Sequence, residues 1–93
     1  MSDERPDAAR PDHEVILADP LFREGYFEIW RGLEPACDVG WSEAETVAYE
    51  RGRQFGVVVH TSYGAPLALQ RGSLVNPDAK RLLILAMQSG EVL

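Results

Sequence analysis

Tyr49, Arg53, Gly56 and His60 recur at spacings of three and four, which on a helix places a phenol, a guanidinium and an imidazole in one row. Such a row stacks nucleobases and meets phosphate, or anchors a protein partner, since tyrosine and arginine are favoured at binding hot spots. The plain alternative is an exposed helix face. Phe27 is the second candidate. It sits among Glu24, Glu28 and Arg31, and an aromatic ring in an acidic surround suits a basic protein partner, unless another helix or a second subunit covers it. Catalytic chemistry finds less support. A nucleophile needs a base and an orienting group within reach; the thiol pairings are Cys37 with His13 or with His60, and nothing in the spacing unites them. These three isolated Cys/His residues match no zinc pattern. Glu24 with Glu28, and Glu43 with Glu45, fall on expected solvent faces, where no burial separates two carboxylates into acid and base. No phosphate loop is present, because Gly52 and Gly56 sit inside an expected helix. The chain is therefore read as a non-enzyme with no cofactor and no metal.

The elements that must position these residues are marked by their ends. Asp19 and Pro20 open a helix as cap and first residue, and Gly32 stops it, giving a helix over 20–31. Leu21, Phe22, Gly25, Tyr26, Ile29, Trp30 and Leu33 share its apolar arc, with Phe27 on the polar side. Ser42 to Glu45 (SEAE) is a capping box, so a second helix starts at Glu43 and extends to about His60. Its expected buried arc is Ala44, Val47, Ala48, Phe55, Val58 and Val59. Ala48, Gly52 and Gly56, four apart, invite a close backbone, and Tyr26 and Trp30 are the expected knobs. Val57 to Thr61 reads equally as β-type. Residues 67–75 read as either one helical turn or a two-strand excursion across Arg71 and Gly72, and irregular structure with a short turn is the expectation. Asn76, Pro77 and Gly90 mark a third helix over 77–88. Its middle, with Leu82, Leu83, Ile84, Leu85 and Met87, is apolar around the whole circumference. Self-association or a docked partner would cover such a helix; so would Val15 to Leu17 and Val92 to Leu93 folding back over it.

Composition sets the frame. Ninety-three residues, 45% hydrophobic and 26% charged, make one small folding domain rather than a disordered chain. Residues 1–14 hold two prolines and seven charges, and read as a flexible acidic tail before a single domain over 15–93. Val15 to Leu17 reads as a short extended entry to the core. One cysteine excludes an intrachain disulfide, which fits a reducing cytoplasmic setting. No run reaches the length of a membrane span, and no apolar stretch near the start serves as a secretory signal. The net charge of −6 is divided unevenly: residues 1–50 carry thirteen of fifteen acids and four of nine bases. Antiparallel helices would bring Glu24 and Glu28 beside Arg51 and Arg53 as ordinary surface pairs; the sharper reading is an acidic docking face.

Arg23 to Tyr26 (REGY) and Ala48 to Gly52 (AYERG) resemble the glycine-aromatic helix pairs of ribosome modulation factor, over fewer than half of the residues. That family is strongly basic and this stretch is acidic, so the resemblance assigns no family. The expectation is an all-α domain of three helices, more often than not a homo-oligomer. Its expected work is to dock on a basic protein or nucleic-acid-handling complex and inhibit or regulate it, as small proteins of phages and mobile elements do by class analogy. Direct nucleic-acid or nucleotide binding through Tyr49, Arg53 and His60 is the alternative.

Overall fold

Each helix in the computed structural model, which describes residues 12–35 and 40–93, starts on a side chain that accepts a free backbone amide. Asp12 accepts from Glu14 N–H at 2.8 Å and opens α1 (His13–Ala18). Asp19 ends α1 and, accepting from Leu21 N–H at 2.8 Å, opens α2 (Pro20–Arg31). Ser42 and Glu45 close the expected capping box at the start of α3 (Glu43–Tyr63). Asn76 opens α4 (Pro77–Ser89). Gly32, Gly64 and Gly90 stop α2, α3 and α4 in the left-handed conformation that glycine adopts cheaply. Between α3 and α4 lies a two-stranded antiparallel hairpin, β1 (Gln70–Arg71) and β2 (Leu74–Val75), turned at Gly72. The domain is all-α apart from this hairpin.

Four expectations change. The entry segment is helical, not extended: in α1, Ile16 and Leu17 point inward while Val15 stays exposed. The tail reading fails at its end, since His13 and Glu14 belong to α1 and Glu14 pairs with Lys80 at 2.9 Å; residues 1–11 lie outside the described residues. Helix α3 continues three residues past His60 through the β-type run, because Val58 and Val59 are held in the core and packing overrides propensity. Residues 67–75 form the hairpin rather than irregular chain, with the positive φ of its turn supplied by Gly72.

Helices α2 and α3 cross through glycines. A Cβ on Gly52 would lie 1.9 Å from the Phe22 carbonyl oxygen, and one on Gly25 would lie 2.4 Å from that of Tyr49. The small-residue spacing thus does bring a backbone close. Phe22 and Tyr26 pack on Phe55 beside the crossing, ring centroids 5.7 Å apart in both pairs. Phe22 meets Gly52, Ile29 meets Gly56, and Trp30 meets His60. The same crossing rotates the first half of α3 away from its expected face: Ala44 is exposed, Val47 and Ala48 are half-buried, and Tyr49 is buried.

Helix α4 closes the core with Ala79, Leu83 and Ala86. Ile16 and Leu17 of α1, together with Val92, join the same cluster, so the segments flanking the domain do fold back over α4. The five residues proposed as an oligomer face are therefore covered to different extents within the chain. Leu83 is in the core, Leu82, Ile84 and Met87 are half-buried, and Leu85 alone of the five is exposed. No described helix is long and apolar enough to cross a membrane.

Candidate functional site

Two of the three residues of the expected exposed row turn inward. Tyr49 is 1% exposed and its hydroxyl donates to Glu28 Oε1; Arg53 Nη1 donates to the same oxygen at 2.9 Å. Glu28, expected on a solvent face, is 6% exposed. The reason is the glycine crossing: Gly25 and Gly52 bring the backbones close enough for side chains one turn away to meet across the helices. One carboxylate from the expected acidic face and two residues from the expected stripe therefore form a single buried network. Arg53 also donates through Nη2 to the Leu33 carbonyl at 3.3 Å, and the Trp41 ring stacks on Tyr49 with centroids 5.0 Å apart. Leu33 and Trp41, on either side of the connection between α2 and α3, are thereby tied to the network. A carboxylate, phenol and guanidinium so engaged with one another and with the connection are a structural clamp.

His60 remains exposed, with its ring on Trp30 at 5.2 Å. The nucleic-acid row is thus reduced to one imidazole. Gly56, its fourth member, packs against Ile29. Cys37 lies outside the described residues. Among the described residues no group of three His, Cys, Asp or Glu is placed to hold a metal ion.

What stays on the surface is Phe27. Its ring, 41% exposed, stands edge-on to Tyr26 at 5.3 Å and carries the Arg31 guanidinium 5.9 Å from its centroid. Glu24, one turn earlier, is exposed. Beside Phe27 runs a groove of about 370 Å³ lined by Arg23, Phe27, Ala68, Leu69 and Gln70. Its far wall is fixed by Tyr26, whose hydroxyl donates to the Leu67 carbonyl at 2.7 Å and accepts from the Leu67 N–H at 2.8 Å. Burial raises the Tyr26 phenol pKa above its ordinary value, with the Leu67 hydrogen bond opposing in part. Reading the sequence missed Arg23, Ala68, Leu69 and Gln70. Arg23 stands four residues before Phe27 and hence on its face, but the opposite wall comes from a hairpin more than 40 residues away. A second groove, of about 340 Å³, runs along Gln54, Val57, Val58, Thr61, Ser62 and Glu91.

The acidic surplus is also redistributed. Asp12, Asp19 and Glu45 cap helices, Glu14 pairs with Lys80, and Glu28 with Arg53. Glu24, Glu34, Glu43 and Glu50 are exposed and make no ion pair among the described residues. Comparison with known protein families, curated proteins and solved structures finds no match to this chain.

Proposed function

We propose that this chain is a non-enzymatic protein-binding module that docks on a basic partner, with the outward face of α2 as its contact surface and Phe27 as its anchor. The observation that carries the reading is the exposed Phe27 ring held between Tyr26 and Arg31 at the lip of a groove. An aromatic side chain whose position is already set by its neighbours loses little freedom on binding, which is how such anchors contribute affinity. The net charge of −6 and the exposed Glu24, Glu34, Glu43 and Glu50 supply long-range attraction to a basic protein. Where that partner handles nucleic acid, occupancy of its basic surface by carboxylates makes the module an inhibitor or regulator.

The test is capture of partners from lysate on the immobilised chain after nuclease treatment, beside Phe27→Ala and Glu24→Gln variants whose folding is checked by circular dichroism. The expected result is a protein retained by the parent, lost with Phe27→Ala, and weakened by salt and by Glu24→Gln. Equal retention by Phe27→Ala would remove α2 as the contact surface, and nuclease-sensitive retention would remove a direct protein partner.

A further inference from the structure

The groove beside Phe27 has a backbone edge for its second wall. In an antiparallel pair, residues alternate between exchanging hydrogen bonds with the partner strand and turning their amides outward. Asn76 N–H donates to the Leu69 carbonyl at 3.0 Å, so Gln70, in register with Val75, is an outward-turned residue. Its N–H and C=O leave β1 on the side away from β2 and have no partner among the described residues. Helix α1 packs against β2, and Gln70 of β1 lines the groove. Opposite that edge stand Arg23 and Phe27. Arg23 uses Nε on the Leu17 carbonyl at 3.3 Å and makes no ion pair among the described residues. The spacing fits a strand. Residues four apart on a helix are separated by about 6 Å along its axis, and alternate side chains of a strand recur about every 6.6 Å.

We propose that β1 accepts an extended peptide segment of the partner as an added strand, with an aromatic or aliphatic side chain on Phe27 and, two residues along, a carboxylate on Arg23. The occupant is an extended peptide because the edge offers a paired donor and acceptor, and it carries a carboxylate because the open charge in the groove is a guanidinium. One such carboxylate is compatible with a partner that is basic overall. The inference rests on the reading of the Phe27 surface and names what that surface takes.

The probe is a capped peptide, Thr-Val-Phe-Thr-Glu-Val-Thr, titrated into the full ¹⁵N-labelled chain to millimolar concentration. Three relatives are run beside it: one methylated on alternate backbone nitrogens, one with Lys for its Glu, and one with Ala for its Phe. Saturable shifts at the Gln70 amide, with slowed exchange of that amide and at least tenfold weaker binding by each relative, are expected. Gln70→Pro, which removes the outward N–H at an edge position that tolerates proline, should weaken binding to a similar degree while its melting curve stays near that of the parent. Binding by the methylated peptide equal to that of the unmodified one overturns strand addition, as does absence of saturable shifts with the parent peptide. Concentration-dependent shifts at Gln70 without peptide would assign the edge to a second copy and overturn the proposal too. If Phe27→Ala abolishes partner capture while Gln70→Pro leaves it intact, the docking surface stands and the added strand falls. If Phe27→Ala leaves capture unchanged, the surface itself falls.

Discussion

Replacing Gly52 with alanine sets two effects of opposite sign against each other. In an isolated helix the change is favourable by about 1 kcal/mol, because alanine loses less backbone entropy than glycine. Here the added Cβ would lie 1.9 Å from the Phe22 carbonyl oxygen, 2.7 Å from its carbon and 2.9 Å from its Cα, whereas ordinary contact begins at 3.4 Å. All three atoms are backbone, so no rotamer change relieves the overlap; α2 and α3 must separate. Separation loosens Phe22, Tyr26 and Phe55, which pack beside the crossing, and pulls Glu28 away from Tyr49 and Arg53. Overpacking at or above the upper end of its usual range of about 1–3 kcal/mol, with the propensity gain of about 1 kcal/mol subtracted, leaves a net loss of about 2 kcal/mol or more. Against a total stability of about 5–14 kcal/mol for a chain of this length, that is a large fraction. Urea unfolding followed by circular dichroism would show the midpoint falling by about 2 M or more, given a slope near 1 kcal/mol/M for a small domain. Gly56→Ala serves as comparison, because its Cβ meets Ile29 side-chain atoms at 2.8 to 3.0 Å and a side chain can yield; its loss should be clearly smaller. A Gly52→Ala protein as stable as the parent would refute the close crossing, and with it the reason given for the buried network.

Two further perturbations probe that network and the hairpin anchor. Arg53→Met leaves the Glu28 carboxylate buried with Tyr49 alone and should cost about 3 kcal/mol, whereas Glu28→Met with Arg53→Met should cost less than the sum of the single changes; additive urea midpoints would refute the coupling. Tyr26→Phe should cost about 1–3 kcal/mol by stripping the Leu67 N–H and C=O of their partner. Because the folded pKa of Tyr26 lies above its unfolded value of 10.0, its contribution is intact below pH 10 and is lost as pH rises beyond it. The parent should therefore lose stability more steeply than Tyr26→Phe between pH 9 and 11, and parallel curves would refute this assignment.

Most helix boundaries were legible because they are local chemistry: Asp19 before Pro20, the Ser42 to Glu45 box, Asn76 before Pro77, and Gly32 and Gly90 after α2 and α4. The glycine spacing of α3 also announced a close neighbour. The identity of the neighbour decided what the polar residues do, and periodicity holds no information on that. Glu28 and Arg53 each lie on the polar side of their own helix; a crossing that brings those sides together buries Glu28 and half-buries Arg53. The short helix α1 was hidden because Val15 to Leu17 fits a strand as well as a helix, and its cap, Asp12, sits in a stretch that otherwise reads as tail. The hairpin was one of three readings and not the favoured one, although Gly72 was a signal for it. The groove was out of reach, since its walls come from α2 and from a segment that Tyr26 ties down 41 residues later.

The two tryptophans of the chain sit in unlike surroundings, so the protein carries two optical reporters with separate jobs. Trp30 lies on His60 with its indole N–H buried, and its emission should follow the parting of α2 from α3. Trp41 rests on Tyr49, where the connection between α2 and α3 is fastened, and its emission should follow release of that connection. With phenylalanine in place of one or the other, fluorescence would time the parting of the helices separately from the loosening of the segment that joins them.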